Sequence, residues 1–188
     1  ALDMIARLAD DSSEAGAQTY AKFHAAFGQV LKEGVAEDHA NQGKVARLLR
    51  FASSTTGEGA PVVSLADYVG RLKEGQDTIY YLTADNYTTA SQSPHLELFR
   101  RKGVEVLLLT DRIDEWMMSY LTAFDGKQFQ HIGKGQVDLS KIAGGEADAE
   151  PEVSEAQSEQ AEAVVRRLQA ALGERVKEVR TTNRLSES

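Results

Sequence analysis

The order of apolar and polar positions divides the chain into three stretches. In the first, to about Gly34, apolar side chains return every three or four residues: Tyr20, Phe23, Phe27, Val30 and Leu31 share one helical face. Leu2, Ile5 and Leu8 form a shorter periodic opening, and the polar run from Asp10 to Ser13 separates the two. Gly34, after Lys32 and Glu33, is the predicted stop.

The second stretch, residues 35–143, alternates strand and helix. Leu49, Phe51 and Ala52 suggest a short strand, and residues 53–61 form a loop rich in Ser, Thr and Gly. Ser64 with Asp67 three residues on is a capping box, opening a short helix through Tyr68, Val69 and Leu72. Residues 78–83 (TIYYLT) read as a strand, and residues 85–102 as helix interrupted before Pro94. Residues 104–109, apolar at five of six positions, suit a strand buried on both faces. A helix is predicted from about Asp111 to Phe124, then an Asp125–Gly126 turn and a strand over residues 127–132. Most of these connections are too long for hairpins, so the pattern predicts the α/β class, with a mainly parallel sheet and helices on both faces.

The third stretch, residues 144–188, changes composition. Between Glu146 and Glu162 there are seven acids and no base, which accounts for all but one unit of the net charge of −8. Gly144, Gly145 and Pro151 mark a linker; a helix follows on Ala161, Val164, Val165, Leu168 and Leu172, with Gly173 as its stop. Residues 175–184 read as a strand without a partner. The chain opens without Met and inside a periodic run, so it is expected to be a piece of a longer protein.

Charge and composition narrow the function. A net charge of −8 and a pI near 5.1 argue against a broad electrostatic grip on nucleic acid. No apolar run reaches the length of a membrane span, and the absence of Cys excludes disulfides and thiolate metal sites. The chain has no GxGxxG after a strand, no GxxxxGK[ST], no HExxH and no GxSxG, and its four histidines, His24, His39, His95 and His131, lie far apart.

Two sets of residues remain candidates. Asp85 and Asp111 follow predicted strands, where ligands of an open parallel sheet bind, and with Asp114 they could hold Mg²⁺ or a phosphoryl group. The simpler reading has both aspartates capping the helices that follow. The second set is DRIDEWMMSYL, residues 111–121, whose apolar stripe is Ile113, Met117, Tyr120, Leu121 and Phe124. Trp116 falls at the margin of that stripe, and Met118 on the polar side with Glu115. Such an edge suits adaptable binding of apolar segments, while on pattern alone the simpler reading packs Trp116 in the core.

Longer runs carry a more specific signal. FGQVLKEG (27–34), LLRFASS (48–54), VSLADYVGRLKEGQDTIYYLTADN (63–86) and SPHLELFRRKGVEVLLLTDRIDEWMMSYLTAFDGKQF (93–129) resemble the middle segment of the ninety-kilodalton heat-shock protein chaperones, in wording nearest their bacterial branch. LGERVKEVRTTNRL (172–185) resembles the opening of that family's C-terminal domain. The resemblance implies a helical connector (1–34), a small three-layer α/β/α subdomain of the middle domain (35–143), and an acidic linker with a truncated start of the next domain (144–188). It implies a cytoplasmic, homodimeric, ATP-dependent chaperone that binds unfolded or partly folded client proteins, with no nucleic acid or membrane partner. The site for ATP with Mg and the catalytic arginine would lie outside this chain, so the piece itself is expected to be no enzyme and to hold no cofactor. Client contact is implied at Glu115 and Trp116, with Met118 and Ser119 beside them; Ser119 stands where the bacterial pattern has a longer asparagine. The resemblance also favours the capping role of Asp85 and Asp111.

Overall fold

The computed structural model describes residues 2–135, 137–142, 164–169, 171 and 176. Two helices lead in, α1 (Leu2–Ala9) and α2 (Glu14–Glu37), followed by α3 (Gln42–Leu48). The break between the first two falls where the polar run predicts it. Ser13 caps α2, its hydroxyl accepting from the Gly16 N–H at 3.0 Å.

The α2 helix does not stop at Gly34. Val35 and Ala36 continue the buried stripe of Tyr20, His24, Gly28 and Leu31, and the helix ends only when the Asp38 N–H bonds back to the Gly34 carbonyl. Burying Val35 outweighs the roughly 1 kcal/mol that an interior glycine costs a helix.

Five strands form one sheet: β1 (Ala52–Ser53), β2 (Thr78–Thr83), β3 (Leu107–Leu109), β4 (Ala123–Phe124) and β5 (Lys127–His131), in the order β1-β3-β2-β5-β4. The central three run parallel, and the two edge strands pair antiparallel. Between them lie α4 (Leu65–Gly70), α5 (Tyr87–Ser91), a 3₁₀ turn (Pro94–Leu96), α6 (Glu97–Arg101) and α7 (Asp114–Met118). Both halves of the Ser64–Asp67 capping box form.

Side chains alternate across the sheet. Leu107, Leu109 and Ile79 face the core covered by α2, α3, α4 and α7; Leu108, Tyr80 and Leu82 face a second core covered by α5 and α6. The architecture is therefore the predicted α/β/α unit with a short, mainly parallel sheet.

Two elements are shorter than predicted. The regular part of β3 begins at Leu107, because the Val104 N–H turns to the Phe99 carbonyl and Val106 pairs with Ser54. α7 ends at Met118, and residues 123–124 are strand instead of helix. Asp125 and Gly126 both take positive φ, 45° and 77°, and this tight turn pairs β4 with β5. A two-residue hairpin requires strand on both sides, so it overrides the helical periodicity that runs to Phe124. At the far end, residues 164–169 are helical with Val164 and Leu168 exposed. The acidic run, the Gly173 stop and the terminal strand lie outside the described residues.

A single buried hydroxyl ties α4 to the sheet. Tyr68 donates to the Glu105 carbonyl at 2.7 Å and accepts from the Tyr80 N–H at 3.1 Å and from Gln76 Nε2 at 3.2 Å. Burial raises its pKa above the ordinary tyrosine value, keeping the donor proton in place. Tyr68→Phe should destabilise the fold by about 2 kcal/mol, because the Tyr80 N–H and the Glu105 carbonyl lose their partner, measured as a lower urea midpoint at unchanged slope.

Candidate functional site

The α7 helix follows β3 through Thr110 to Ile113 and presents two unlike faces. Asp114, Met117, Met118 and Leu121 are buried at spacings of three, four and seven residues. Trp116 lies on the opposite side, 41% exposed. Its ring meets that of Tyr120, also 41% exposed, edge-on with centroids 5.2 Å apart. The Tyr120 ring lies 6.3 Å from that of His39, in the exposed turn after α2, and Gln42 Nε2 donates to the Tyr120 carbonyl at 3.3 Å. Three rings thus form a row across the surface.

This arrangement corrects two sequence expectations. Met118, expected on the polar side, is only 9% exposed and belongs to the core beneath the helix. Tyr120, expected in the buried stripe, is on the surface. Both shifts have one cause: Asp114, a charged residue, occupies an inward position of the stripe, so a count of apolar side chains alone centres the buried face wrongly. Glu115 and Ser119 are exposed as expected. The Ser119 hydroxyl donates back to the Glu115 carbonyl at 3.2 Å, and so turns toward its own helix. The Glu115 carboxylate accepts from Thr83 Oγ1 at 3.3 Å and lies 3.5 Å from Lys134 Nζ.

Asp114 is tolerated inside because α2 delivers a cation to it. Lys32 Nζ sits 2.6 Å from Asp114 Oδ1 and 2.5 Å from Asp111 Oδ2, with the Lys32 and Asp114 side chains 4% and 1% exposed. The other Asp114 oxygen accepts from the Asp111 N–H at 2.9 Å. Burial nonetheless raises the Asp114 pKa, with Lys32 opposing. Beside the pair, His24 Nε2 accepts from the Arg50 N–H at 3.1 Å. Burial, then the charges of Lys32 and Arg50, push the His24 pKa down to about 4, against the pull of Asp111.

His24, Gly28, Lys32, Arg50, Thr110 and Asp111 line a cleft of about 420 Å³ at the carboxyl end of β3. Asp85 does not line it, so the structure brings Asp111 and Asp114 together and leaves Asp85 apart. The capping expectation is corrected for both aspartates. Asn86 caps α5, accepting from the Thr89 N–H at 2.9 Å, and Asp111 is held by Lys32 while α7 has no side-chain cap. Among the described residues no cluster of three or more His, Asp or Glu side chains is placed to hold a metal ion. No described helix is long and apolar enough to cross a membrane.

A long helix thus packs against an α/β/α unit that carries an aromatic row on its surface. The chain matches the family described as Hsp90 protein over residues 1–188. It is 56% identical to a Bordetella pertussis protein named chaperone protein HtpG over 184 residues, covering 96% of this chain and 28% of that protein. A Cronobacter sakazakii protein of the same name is 55% identical over 187 residues, covering 100% of this chain and 29% of that one. Among solved structures, the middle domain of a Plasmodium falciparum heat shock protein matches with a TM-score of 0.64 and 32% identity, over 71% of this chain and 54% of that one. The chain belongs to the Hsp90 family, and it spans less than a third of the length of these bacterial relatives.

Two outcomes follow from the buried charges. Lys32→Met should destabilise the chain by about 3–5 kcal/mol, since Asp114 is left charged and unpaired. Adding Asp114→Leu should recover most of that loss in the same denaturant titration. On acidification, the depressed His24 pKa means that stability present above pH 6.5 is lost as pH falls through about 4. The raised pKa of Asp114 works in the opposite sense. His24→Gln should therefore flatten the acid limb of the stability profile, by about 2 kcal/mol once solvent screening in the cleft is allowed for.

Proposed function

We propose that this chain is the client-contacting and coupling segment of an ATP-dependent chaperone, with no chemistry of its own. The observation that carries the reading is the exposed Trp116–Tyr120 pair, held on a helix whose opposite face is anchored in the core. Rings of this kind offer large contact area at low conformational cost, and a neighbouring exposed carboxylate, Glu115, adds a polar contact. Unfolded or partly folded proteins supply the matching chemistry: apolar and cationic side chains on an extended backbone. Tyr120 and His39 lengthen the surface beyond the residues that the sequence resemblance marks, while Met118 supports it from below.

Coupling follows from the same geometry. A connector (1–34) joined rigidly to the α/β/α unit (35–143) transmits any displacement to the client-facing row, and residues 144–188 lead toward a dimerising domain. ATP binding, hydrolysis and dimer closure belong to the longer, cytoplasmic parent, and clients are released or retained through their different affinities for its states.

The test is a fluorescence titration of Trp116 with a persistently unfolded, tryptophan-free polypeptide. Saturable change is expected, and Tyr120→Ala should weaken the affinity roughly fivefold, about 1 kcal/mol for one exposed aromatic contact. Met118→Ala should instead lower stability by about 2–4 kcal/mol while leaving the affinity of the folded protein close to that of the parent. A Trp116 signal indifferent to the polypeptide would overturn the client-contact reading.

A further inference from the structure

A polar chain reaches the Glu115 carboxylate from the carboxyl ends of β2 and β5, on the face of the sheet that α7 covers, and its shortest backbone hydrogen bond sets its direction. The Gly133 N–H lies 3.0 Å from His131 Nδ1, and a backbone N–H can only donate, so Nδ1 is the ring's acceptor. A neutral imidazole then carries its hydrogen on Nε2, which lies 3.1 Å from Thr83 Oγ1. The Thr83 oxygen accepts that hydrogen, and its own hydroxyl donates onward to Glu115 Oε1 at 3.3 Å. The Thr83 N–H also faces Nε2, at the longer distance of 3.4 Å. A neutral ring has one acceptor nitrogen, and the shorter Gly133 bond takes it.

The elements joined here are distant in sequence: the end of β2, the end of β5, the turn after it, and α7. Gly133 is suited to its place, because a Cβ there would lie 3.0 Å from the His131 ring and 3.5 Å from His95. The Tyr81 ring packs edge-on to His131 at 5.2 Å, which limits rotation of the imidazole. Lys134 Nζ, 3.5 Å from Glu115 Oε1, closes the arrangement from the solvent side.

We propose that Thr83 and His131 are positioning residues for the Glu115 carboxylate, holding it beside Trp116 in the orientation that meets a bound client. This rests on the reading of the Trp116 surface given above. The chain runs in one sense only, and the Gly133 N–H holds the ring in place for it only while the imidazole is neutral. Protonation places a hydrogen on Nδ1, donor against the Gly133 donor, and the ring must turn or shift. The groups that face it are Glu115, Lys134, His95 and the Tyr81 ring; burial, Lys134 and His95 favour the neutral form, and Glu115 opposes them. Client affinity should therefore hold near neutral pH and fall on acidification below the ordinary histidine range, through release of Glu115.

The experiment uses the full 188-residue chain and the tryptophan-free unfolded polypeptide, with Thr83→Val and Thr83→Ser compared at about pH 7.5 and about pH 5.5. Thr83→Val removes the relay with little change of shape, Thr83→Ser restores it, and circular dichroism confirms folding of each. Thr83→Val should weaken binding roughly threefold at the higher pH, while Thr83→Ser stays close to the parent. The fall in affinity on acidification should be present in the parent and in Thr83→Ser, and reduced in Thr83→Val. Long-range ¹H–¹⁵N spectra should show the His131 hydrogen on Nε2, and Thr83→Val should move the Glu115 carboxylate ¹³C resonance. A folded Thr83→Val chain that binds as the parent does, or an Nδ1–H ring, overturns the proposal. If the parent fails to bind the polypeptide, the client reading falls. The spectra then decide the relay alone, an unmoved Glu115 resonance overturning it.

Discussion

The relation between the connector helix and the α/β/α unit depends on one buried ammonium. Lys32 is almost wholly withdrawn from water, at a desolvation cost of several kcal/mol, and two carboxylates within 2.6 Å offset it. Those carboxylates belong to the segment that ends β3 and begins α7. Any sliding of α2 along the sheet would strand a positive charge on one side and a buried aspartate on the other. Apolar packing between the same helices would tolerate small shifts; the ion pair does not. It sets the register of α2 against α7, and the aromatic row inherits that register, since Trp116 and Tyr120 stand on α7 and the turn after it while His39 follows α2.

This explains how so short a helix can hold exposed rings in place. Five residues are too few for a stable helix in isolation. Met117, Met118 and Leu121 pin α7 to the core, Asp114 ties it to α2, and Glu115 is held from β2 and the turn after β5. Every inward-facing side chain is committed, so the exposed rings are displayed on a rigid support. Weak individual contacts to an extended polypeptide gain from such preorganisation, because little entropy is lost in ordering the surface at binding. The same rigidity lets movement of α2 be felt at the row.

The carboxyl ends of the parallel strands carry two kinds of polar chemistry. Beyond β3 lies the His24–Lys32–Asp111–Asp114 group, charged and committed to holding elements together. Beyond β2 and β5 lies the Thr83–His131 chain, mostly neutral and aimed outward at Glu115. Both contain a histidine whose unprotonated nitrogen accepts from a backbone N–H, Arg50 in one case and Gly133 in the other. In both, acid removes an acceptor that the backbone needs. The first governs the stability of the fold, and the second bears on one exposed carboxylate.

Elements whose instructions are local were legible in the sequence. The Ser64–Asp67 box, the strand at residues 78–83, the Asp125–Gly126 turn and the break at residues 10–13 each follow from a few neighbouring residues, and alternation of strand with helix was enough for the α/β class. Trp116 and Glu115 could be marked from the resemblance of long runs, though not their exposure. What the sequence could not show was partnership across distance. Nothing near Asp114 announces that Lys32, 82 positions earlier, will neutralise it, and so a charged residue could not be counted among the inward positions of α7. That one omission hid Met118 in the wrong place and Tyr120 with it. The row of Trp116, Tyr120 and His39, and the chain from His131 through Thr83 to Glu115, exist only because the sheet order places β5 beside β2 and α2 beside α7. Local physics set the elements; burial of a charge and the pairing of strands decided which side chains met.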